Sequence, residues 1–245
     1  MQSPSATSAH ATKPDCVLVV MAKAPRQGQV KTRLAQSFPL VDVTDFYACL
    51  LQDTITLALS LGTADVAIMC PAADVDELAG DKIMGDAVRI VAQQGEGLAA
   101  GLTSVFSHFT AAGYQRVVAF NSDTPHLPAS ILQNAFDVLS GCELVVGPTH
   151  DGGYYLVGAK ASYRGLFNGD EMGTETALET LTARARALNL SVHLTDPFYD
   201  IDVASDLSRL AAELRVDPGR APRTASWLAE FGQAIADSQP KIGVQ

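Results

Sequence analysis

Residues 16–34, CVLVVMAKAPRQGQVKTRL, combine a short apolar run with a cluster of positive charge. The run at 17–21 is continuous rather than alternating, which is typical of a strand covered on both faces of a parallel sheet. Four of the chain's 17 lysines and arginines follow it between residues 23 and 33. Ligands of open parallel sheets bind beyond the carboxyl ends of the strands. The segment therefore predicts a parallel α/β fold with a binding loop directly after its first strand.

The alternation of short apolar runs and longer amphipathic segments continues along the chain. It predicts one α/β domain over residues 15–245, with a mostly parallel central sheet flanked by helices. Residues 1–14 are rich in Ser, Ala, Thr and Pro, so we expect them to form a disordered leader. The predicted strands are 17–21, 66–70, 88–92, 117–120, 144–146, 154–157 and 192–194, and the predicted helices are 44–61, 98–112, 129–139, 174–188, 203–215 and 225–236.

The composition argues against several classes of protein. The 245 residues are 47% hydrophobic, which is enough for a sizeable core. A formal charge of −10 disfavours binding to nucleic acid or to an anionic membrane. No segment has the roughly 20 apolar residues of a membrane helix. The four cysteines form no C-x-x-C pair, so we expect reduced thiols, no structural zinc and a cytoplasmic location.

The positive cluster after the first strand is the candidate phosphate site. Lysine and arginine on a loop that contains proline and glycine can direct charge and backbone N–H groups at a di- or triphosphate. The spacing is not that of a Walker A loop, and a solvated basic turn is the alternative. The predicted phosphate-binding residues are Lys23, Ala24, Pro25, Arg26, Gly28, Lys31 and Arg33.

Residues 93–101, QQGEGLAAG, form a glycine-rich segment after the third predicted strand. The pattern resembles a dinucleotide fingerprint, but that motif belongs to the first strand–helix turn, and Glu96 would face the pyrophosphate. We interpret Gly95 and Gly97 as positions where the backbone approaches the base or sugar of a nucleotide. The alternative is a helix that simply begins with glycine.

Two acidic segments offer ligands for a metal ion. Asp123 follows the strand at 117–120, whereas Asp200 and Asp202 alternate along an extended segment and so point to the same side. Carboxylates are the ligands that Mg²⁺ or Mn²⁺ prefers. The alternatives are that Asp123 caps a turn and that the other two cap the following helix. We predict Asp123, Asp200 and Asp202 as metal ligands, with Ser122 beside them in the nucleotide site.

Residues 147–156, GPTHDGGYYL, place two glycines between polar side chains. Such a segment gives an unhindered patch that suits a sugar or another acceptor, although a plain hairpin turn is the alternative. We predict acceptor binding by Asp151, Gly152, Gly153 and Tyr154. Asp151 would grip the acceptor or activate its hydroxyl as a base.

Four motifs occur in order: K-A-P-R-x-G-x-V-K-T-R-L at 23–34, N-S-D-T-P at 121–125, G-P-x-x-D-G-G-Y-Y-L at 147–156 and D-I-D-V-x-x-D-L at 200–207. Together they resemble the bacterial GT-A-superfamily, glycosyltransferase-like family called domain of unknown function 2064. More distantly, the set is similar to 2-phospholactate guanylyltransferase and the molybdenum-cofactor nucleotidylyltransferases. The resemblance implies a GT-A (nucleotide-diphospho-sugar transferase) fold, a nucleotide donor and a divalent metal. The segments 97–101 and 172–176 depart from the family pattern, which leaves the acceptor open.

The residues and the resemblance together predict a transferase that uses Mg²⁺ or Mn²⁺. The leading hypothesis is transfer of a sugar from a nucleotide-sugar to a small acceptor, with Asp123, Asp151 and Lys31 as the catalytic residues. One alternative is nucleotidyl transfer from an NTP to a phosphorylated metabolite. Another is a nucleotide-binding protein without catalytic activity. A homodimer stays open.

Overall fold

The computed structural model describes residues 15–80 and 88–238; the predicted leader at 1–14 lies outside the described residues. Seven strands form one sheet in the order β3-β2-β1-β4-β6-β5-β7. All the strand pairs are parallel except those that β6 makes with β4 and β5. The predicted fold class, a mostly parallel α/β sheet flanked by helices, is therefore confirmed. The strands are β1 Cys16–Met21, β2 Asp65–Cys70, β3 Val88–Ala92, β4 Arg116–Asn121, β5 Leu144–Pro148, β6 Tyr154–Ala159 and β7 Val192–Leu194.

Each of the seven strands and six of the helices lie where the sequence predicts them. The additional helix, α2, has only six residues and is too short to produce a periodic pattern. Helix α5 begins at Ala177 rather than 174, because residues 170–173 form a separate 3₁₀ turn. The helices are α1 Leu40–Ser60, α2 Val75–Gly80, α3 Gly97–Ala111, α4 Ala129–Val138, α5 Ala177–Ala187, α6 Ala204–Val216 and α7 Pro222–Ser238.

The core lies on both faces of the sheet, as the continuous apolar strands predict. In β1, Leu18 and Val20 join one cluster with side chains of α1 and α4, whereas Val17 and Val19 join another with side chains of α3 and α5. This alternation follows from the two-residue period of a strand. Because both faces are covered, ligands can reach the sheet at the ends of its strands.

A third apolar cluster joins α1 and α6 to the extended segment before α6. Ile201 in that segment is fully buried against Phe46 and Leu210. The burial of Ile201 fixes the segment, and the residues on either side of it, Asp200 and Asp202, line a cavity instead. The packing of one isoleucine thus orients two carboxylates.

Within the described residues, no helix is both long enough and apolar enough to span a membrane. All four cysteines are free thiols, two of them buried and two half-buried. Burial raises the pKa of Cys16, Cys49 and Cys70 to about 11, so these thiols stay protonated at neutral pH.

Candidate active site

A cavity of about 1650 Å³ opens at the carboxyl ends of the parallel strands. Met21, Met69 and Asn121 bring the ends of β1, β2 and β4 to its wall. This is the edge where open α/β sheets bind their ligands. Twelve of the predicted site residues line the cavity: Lys23, Lys31, Arg33, Gly95, Gly97, Ser122, Asp123, Asp151, Gly153, Tyr154, Asp200 and Asp202.

The basic loop after β1 divides into two halves with different roles. In the first half, the Ala24 N–H donates to Asp74 Oδ2 at 2.9 Å, and the Arg26 guanidinium pairs with Asp74 at 2.6 Å and Glu77 at 2.7 Å. These contacts anchor the loop to α2 and the turn before it. Ala24, Pro25, Arg26 and Gly28, although predicted to bind phosphate, are not among the residues that line the cavity.

The second half of the loop carries Lys31 into the cavity wall. The Lys31 side chain is only 4% exposed, and its Nζ lies 2.8 Å from Asp123 Oδ2 and 3.0 Å from Asp202 Oδ1. Burial alone would lower the pKa of Lys31, but attraction by the two carboxylates outweighs it and raises the pKa. The ammonium is therefore charged, and it joins two segments that are far apart in sequence.

Arg33 contributes a second positive charge at the opening of the cavity. Its Nη1 lies 3.6 Å from Asp202 Oδ2, and 62% of its side chain is exposed. An exposed guanidinium in a long ion pair can turn toward an incoming anion at little cost. Lys23, also on the cavity wall, is exposed as well.

Asp123 does not cap the turn after β4, because Asn121 does so. Asn121 Oδ1 accepts a hydrogen bond from Thr124 Oγ1 at 2.8 Å and from the Asp123 N–H at 3.4 Å. The Asp123 carboxylate instead accepts from Ser122 Oγ at 3.3 Å and pairs with Lys31. The Asp123 carboxylate therefore lines the cavity and does not cap the turn.

Asp200 and Asp202 do not cap the helix that follows them, α6, because Asp206 does so. Asp206 Oδ2 accepts the backbone N–H groups of Asp202 and Val203, both at 2.9 Å. The side chains of Asp200 and Asp202 stay at the cavity. Burial, with the nearby charge of Asp202, raises the pKa of Asp200 to about 6.

The segment at 149–153 is the turn of the β5–β6 hairpin and also a wall of the cavity. Asp151 Oδ1 accepts hydrogen bonds from Thr149 Oγ1 and from the Gly153 N–H. These bonds, that from Thr149 first, lower the pKa of Asp151, so the carboxylate is ionised at neutral pH. An ionised carboxylate at this place can accept a hydrogen bond from a ligand hydroxyl.

Gly152 packs against the chain before α5 rather than against the cavity. It has a φ of +90°, and a Cβ atom there would lie 2.0 Å from the carbonyl oxygen of Glu175. The Leu178 N–H donates to the Gly152 carbonyl at 3.0 Å. The glycine is therefore needed for docking of the hairpin on residues 175–178.

The glycine-rich loop after β3 presents its backbone to the cavity. Gly95 and Gly97 both have a φ of +80°, in the region that favours glycine. The Gln93 side chain fixes the loop, since its Nε2 donates to the carbonyls of Gly95 at 3.0 Å and Gly97 at 3.4 Å. Gly101 leaves room for Gln93, whose Oε1 would lie 2.7 Å from a Cβ there.

Tyr47 of α1 supports the site, and the sequence gives no sign of this role. Its buried hydroxyl accepts the Lys23 N–H at 3.1 Å and lies 3.2 Å from the Lys23 carbonyl and 3.1 Å from Ser122 Oγ. Burial raises the pKa of Tyr47 to about 12. The hydroxyl joins the basic loop to the Asp123 turn. The helical periodicity of α1 predicts only that Tyr47 is an ordinary core residue.

Residues 172–177 also line the cavity; residues 172–176 are one of the two segments that depart from the family pattern. They lie beside the hairpin turn, where the Tyr154 hydroxyl is 3.7 Å from Met172 Sδ and the Leu178 N–H donates to the Gly152 carbonyl. Asp74 and Glu77, the partners of the basic loop, were also missed. Only their opposite charge could have indicated that they pair with it. That signal does not tell which cation each one meets.

The chemistry of the predicted metal ligands fits a hard divalent cation, because Asp123, Asp200 and Asp202 supply carboxylate oxygens. Across residues 15–80 and 88–238, however, no group of three or more His, Cys, Asp or Glu side chains is arranged to hold a metal ion. The ammonium of Lys31 lies between Asp123 and Asp202. A cation could reach both carboxylates if Lys31 moved.

Comparison with known families confirms the resemblance that the four motifs predict. Residues 54–174, just under half of the chain, match the family described as "Uncharacterized protein conserved in bacteria (DUF2064)". A comparison with proteins of curated function gives no match.

Solved structures give the most extensive similarity. A protein from Desulfovibrio desulfuricans G20, provisionally described as a nucleotide-diphospho-sugar transferase, is 28% identical with a TM-score of 0.82, covering 91% of this chain and 97% of that one. A nucleotidyl transfer enzyme from Methanothermobacter thermautotrophicus is 17% identical with a TM-score of 0.57, covering 82% and 99%. A 4-diphosphocytidyl-2C-methyl-D-erythritol synthase from Anaerococcus prevotii is 11% identical with a TM-score of 0.55, covering 82% and 96%. The last two share the fold alone. The chain has the nucleotide-diphospho-sugar transferase type of fold, and its similarity to the Desulfovibrio protein supports a transferase.

Proposed function

We propose that this protein is a metal-dependent transferase that moves a sugar from a nucleotide-sugar to a small acceptor. The observation that carries the proposal is a cavity at the sheet edge, where the cations after β1 meet the carboxylates of Asp123 and Asp202, with Asp200 in the same wall. Cations suit the phosphates of a donor, and carboxylates suit a divalent metal. The provisional description of the Desulfovibrio protein agrees with this reaction class.

On the donor side, Lys23, Lys31 and Arg33 would hold the two phosphates. Arg26 does not enter the proposal, because its guanidinium is taken up by Asp74 and Glu77. Gly95 and Gly97 would allow the base or ribose to lie against the backbone of the loop after β3. Positive charge on this side would neutralise the nucleoside diphosphate as it leaves.

Asp123 and Asp202, with Asp200 beside them, would hold the divalent cation. When bound, Mg²⁺ or Mn²⁺ supplies positive charge that stabilises the leaving diphosphate. Ser122 and Asn121 contribute indirectly, because their hydrogen bonds fix the turn that carries Asp123.

On the acceptor side, Asp151 would accept a hydrogen bond from the attacking hydroxyl, with Gly153 and Tyr154 beside it. The new bond joins the acceptor oxygen to the anomeric carbon of the sugar, while the bond from that carbon to the donor phosphate breaks. The proton of the acceptor hydroxyl passes to the carboxylate of Asp151. Because the pKa of Asp151 is lowered, the carboxylate would first orient the hydroxyl and take up its proton only as the new bond forms.

The test is a product assay with Mn²⁺ on a panel of nucleotide-sugars and NTPs, with and without pooled small-molecule acceptors. Release of a nucleoside diphosphate from a nucleotide-sugar supports the proposal. Release of pyrophosphate from an NTP would assign nucleotidyl transfer, which the same cations and carboxylates could serve. Tight nucleotide binding without either product would favour a nucleotide-binding protein without catalytic activity.

A further inference from the structure

The two carboxylates nearest the basic loop have each of their oxygens next to a donor. Asp123 Oδ1 accepts from Ser122 Oγ at 3.3 Å, and Asp123 Oδ2 lies 2.8 Å from Lys31 Nζ. Asp202 Oδ1 lies 3.0 Å from the same ammonium, and Asp202 Oδ2 lies 3.6 Å from Arg33. All four oxygens of Asp123 and Asp202 therefore already have a donor or a cation beside them.

The backbone of the loop directs Lys31 to this place. Lys31 has a φ of +46°, one of two positive φ values among the described residues other than glycine. A left-handed backbone is unfavourable for a residue with a Cβ atom, so the surrounding structure holds Lys31 in it. The ammonium at the end of this residue is almost fully buried, so it does not exchange its partners for water freely.

A second cation at the same oxygens would meet the charge of Lys31. Two positive charges a few ångströms apart repel strongly in a partly buried site. The phosphates of an incoming nucleotide can draw Lys31 away from the two carboxylates, because their oxygens accept new charge-assisted hydrogen bonds from its ammonium. The carboxylates then become available.

We propose that Lys31 excludes a free divalent cation from the Asp123–Asp202 pair, so that the site accepts the cation only together with the phosphates of a nucleotide. The proposal rests on the function proposed above and identifies its ligand as the metal–nucleotide complex. Lys31 is then the residue that makes the site select that complex over the bare metal ion.

The experiment is a titration of the full chain with Mn²⁺ alone, with free Mn²⁺ followed by electron paramagnetic resonance. The wild type should bind Mn²⁺ weakly, whereas Lys31→Met should bind it about tenfold more tightly or better, because repulsion at the carboxylates is removed. The gain should disappear in the double variant Lys31→Met/Asp123→Asn. Lys23→Met is the matched control, since it removes a lysine of the same cavity and should leave the Mn²⁺ affinity near that of the wild type.

Circular dichroism and melting temperature establish that each variant is folded, and Lys31→Gln replaces Lys31→Met if the latter does not fold. Equal Mn²⁺ affinity of the wild type and the folded Lys31 variants would overturn the proposal. So would tight binding of Mn²⁺ alone by the wild type. Neither result touches the proposed function, which is tested separately by the nucleotide-dependent rise in melting temperature and by the product assay.

Discussion

Asp123 is the residue on which the proposed chemistry of the cavity depends most. It faces the cavity, pairs with Lys31, and leaves the capping of its own turn to Asn121. Asp123→Asn should therefore keep the turn intact while removing a charged ligand of the proposed cation. We expect turnover to fall about a hundredfold or more, since about 1.4 kcal/mol of lost transition-state stabilisation is tenfold in rate.

The measurement is the release of nucleoside diphosphate or pyrophosphate, together with the metal-dependent part of the nucleotide thermal shift. Asp137→Asn is the control, because it removes an exposed carboxylate of α4 outside the cavity. Full activity of Asp123→Asn would remove Asp123 from the metal site.

The raised pKa of Asp200 predicts that the stability of the metal-free protein depends on pH. Its pKa is about 6 in the folded state and 3.8 ordinarily, so the folded state favours the protonated carboxyl. The contribution of Asp200 to stability is therefore full below pH 3.8, where the group is protonated in both states, and it is lost as the pH rises through 6. Asp200→Asn stays neutral and should be more stable than the wild type at pH 8, by about 1–3 kcal/mol. The gain should shrink toward zero at pH 4.

Urea unfolding of both proteins in EDTA at several pH values measures this difference. The prediction is wrong if Asp200→Asn is less stable than the wild type at pH 8, or if its gain in stability does not depend on pH. Either result would show that burial is not the main influence on the pKa of Asp200.

At the scale of the element, α1 holds two loops of the site together through Tyr47. Tyr47→Phe removes the hydroxyl that meets Lys23 and Ser122. We expect a loss of about 1–2 kcal/mol in the free energy of unfolding. Nucleotide binding should weaken as well, because both loops lose a support.

Tyr155→Phe is a matched control for this change. Its buried hydroxyl contacts Thr195 and Asp196 instead of the cavity loops. It should lower stability to a similar degree without affecting nucleotide binding. Equal effects of both variants on binding would argue against a specific role of Tyr47.

The β5–β6 hairpin depends on Gly152 for its docking. Gly152→Ala combines a φ of +90° with a clash against the Glu175 carbonyl, so we expect a loss of about 2–4 kcal/mol in stability. Gly113→Ala is the comparison, because its φ is +93° with no atom near the added Cβ, and it should cost about 1 kcal/mol. Equal melting temperatures of the two variants would contradict this account.

The elements themselves follow from local sequence, and this explains which parts could be predicted. Runs such as 17–21 and 117–120 are continuous because both faces of their strands are buried, and that pattern is visible in one sequence. The apolar pattern of β6 does not give its direction, because parallel and antiparallel buried strands have the same pattern; only the short connection from β5 favours a hairpin and so an antiparallel pair. Helix α2 gives no signal, since six residues show no helical period.

The cavity residues could be predicted because their loops follow strand ends, but their pairing could not. Lys31 meets Asp202 across 171 positions of the chain, and Arg26 meets Glu77 across 51. The four cations of the loop have the same charge, and the sequence does not show which acidic residue each one contacts. Only the fold determines that Arg26 anchors the loop while Lys31 enters the cavity.

At the scale of the whole molecule, an acidic protein places three of its cations in one cavity at an edge of its sheet. The formal charge is −10, yet Lys23, Lys31 and Arg33 all line this cavity. The same lining holds six acidic residues: Glu96, Asp123, Asp151, Glu175, Asp200 and Asp202. The cations can each contact a phosphate directly, and a divalent cation that arrives with the phosphates would offset the carboxylates.

The most direct measurement of the central claim is the melting temperature of the wild type with nucleotide-sugars and NTPs, each with and without Mn²⁺. A ligand of the folded state at 100 times its Kd adds about 2.7 kcal/mol of stability, which corresponds to a shift of several degrees. We predict such a shift for at least one nucleotide with Mn²⁺, and a smaller one in EDTA. Unchanged melting temperatures across the whole panel, with and without the metal, would contradict the assignment of this cavity to a nucleotide.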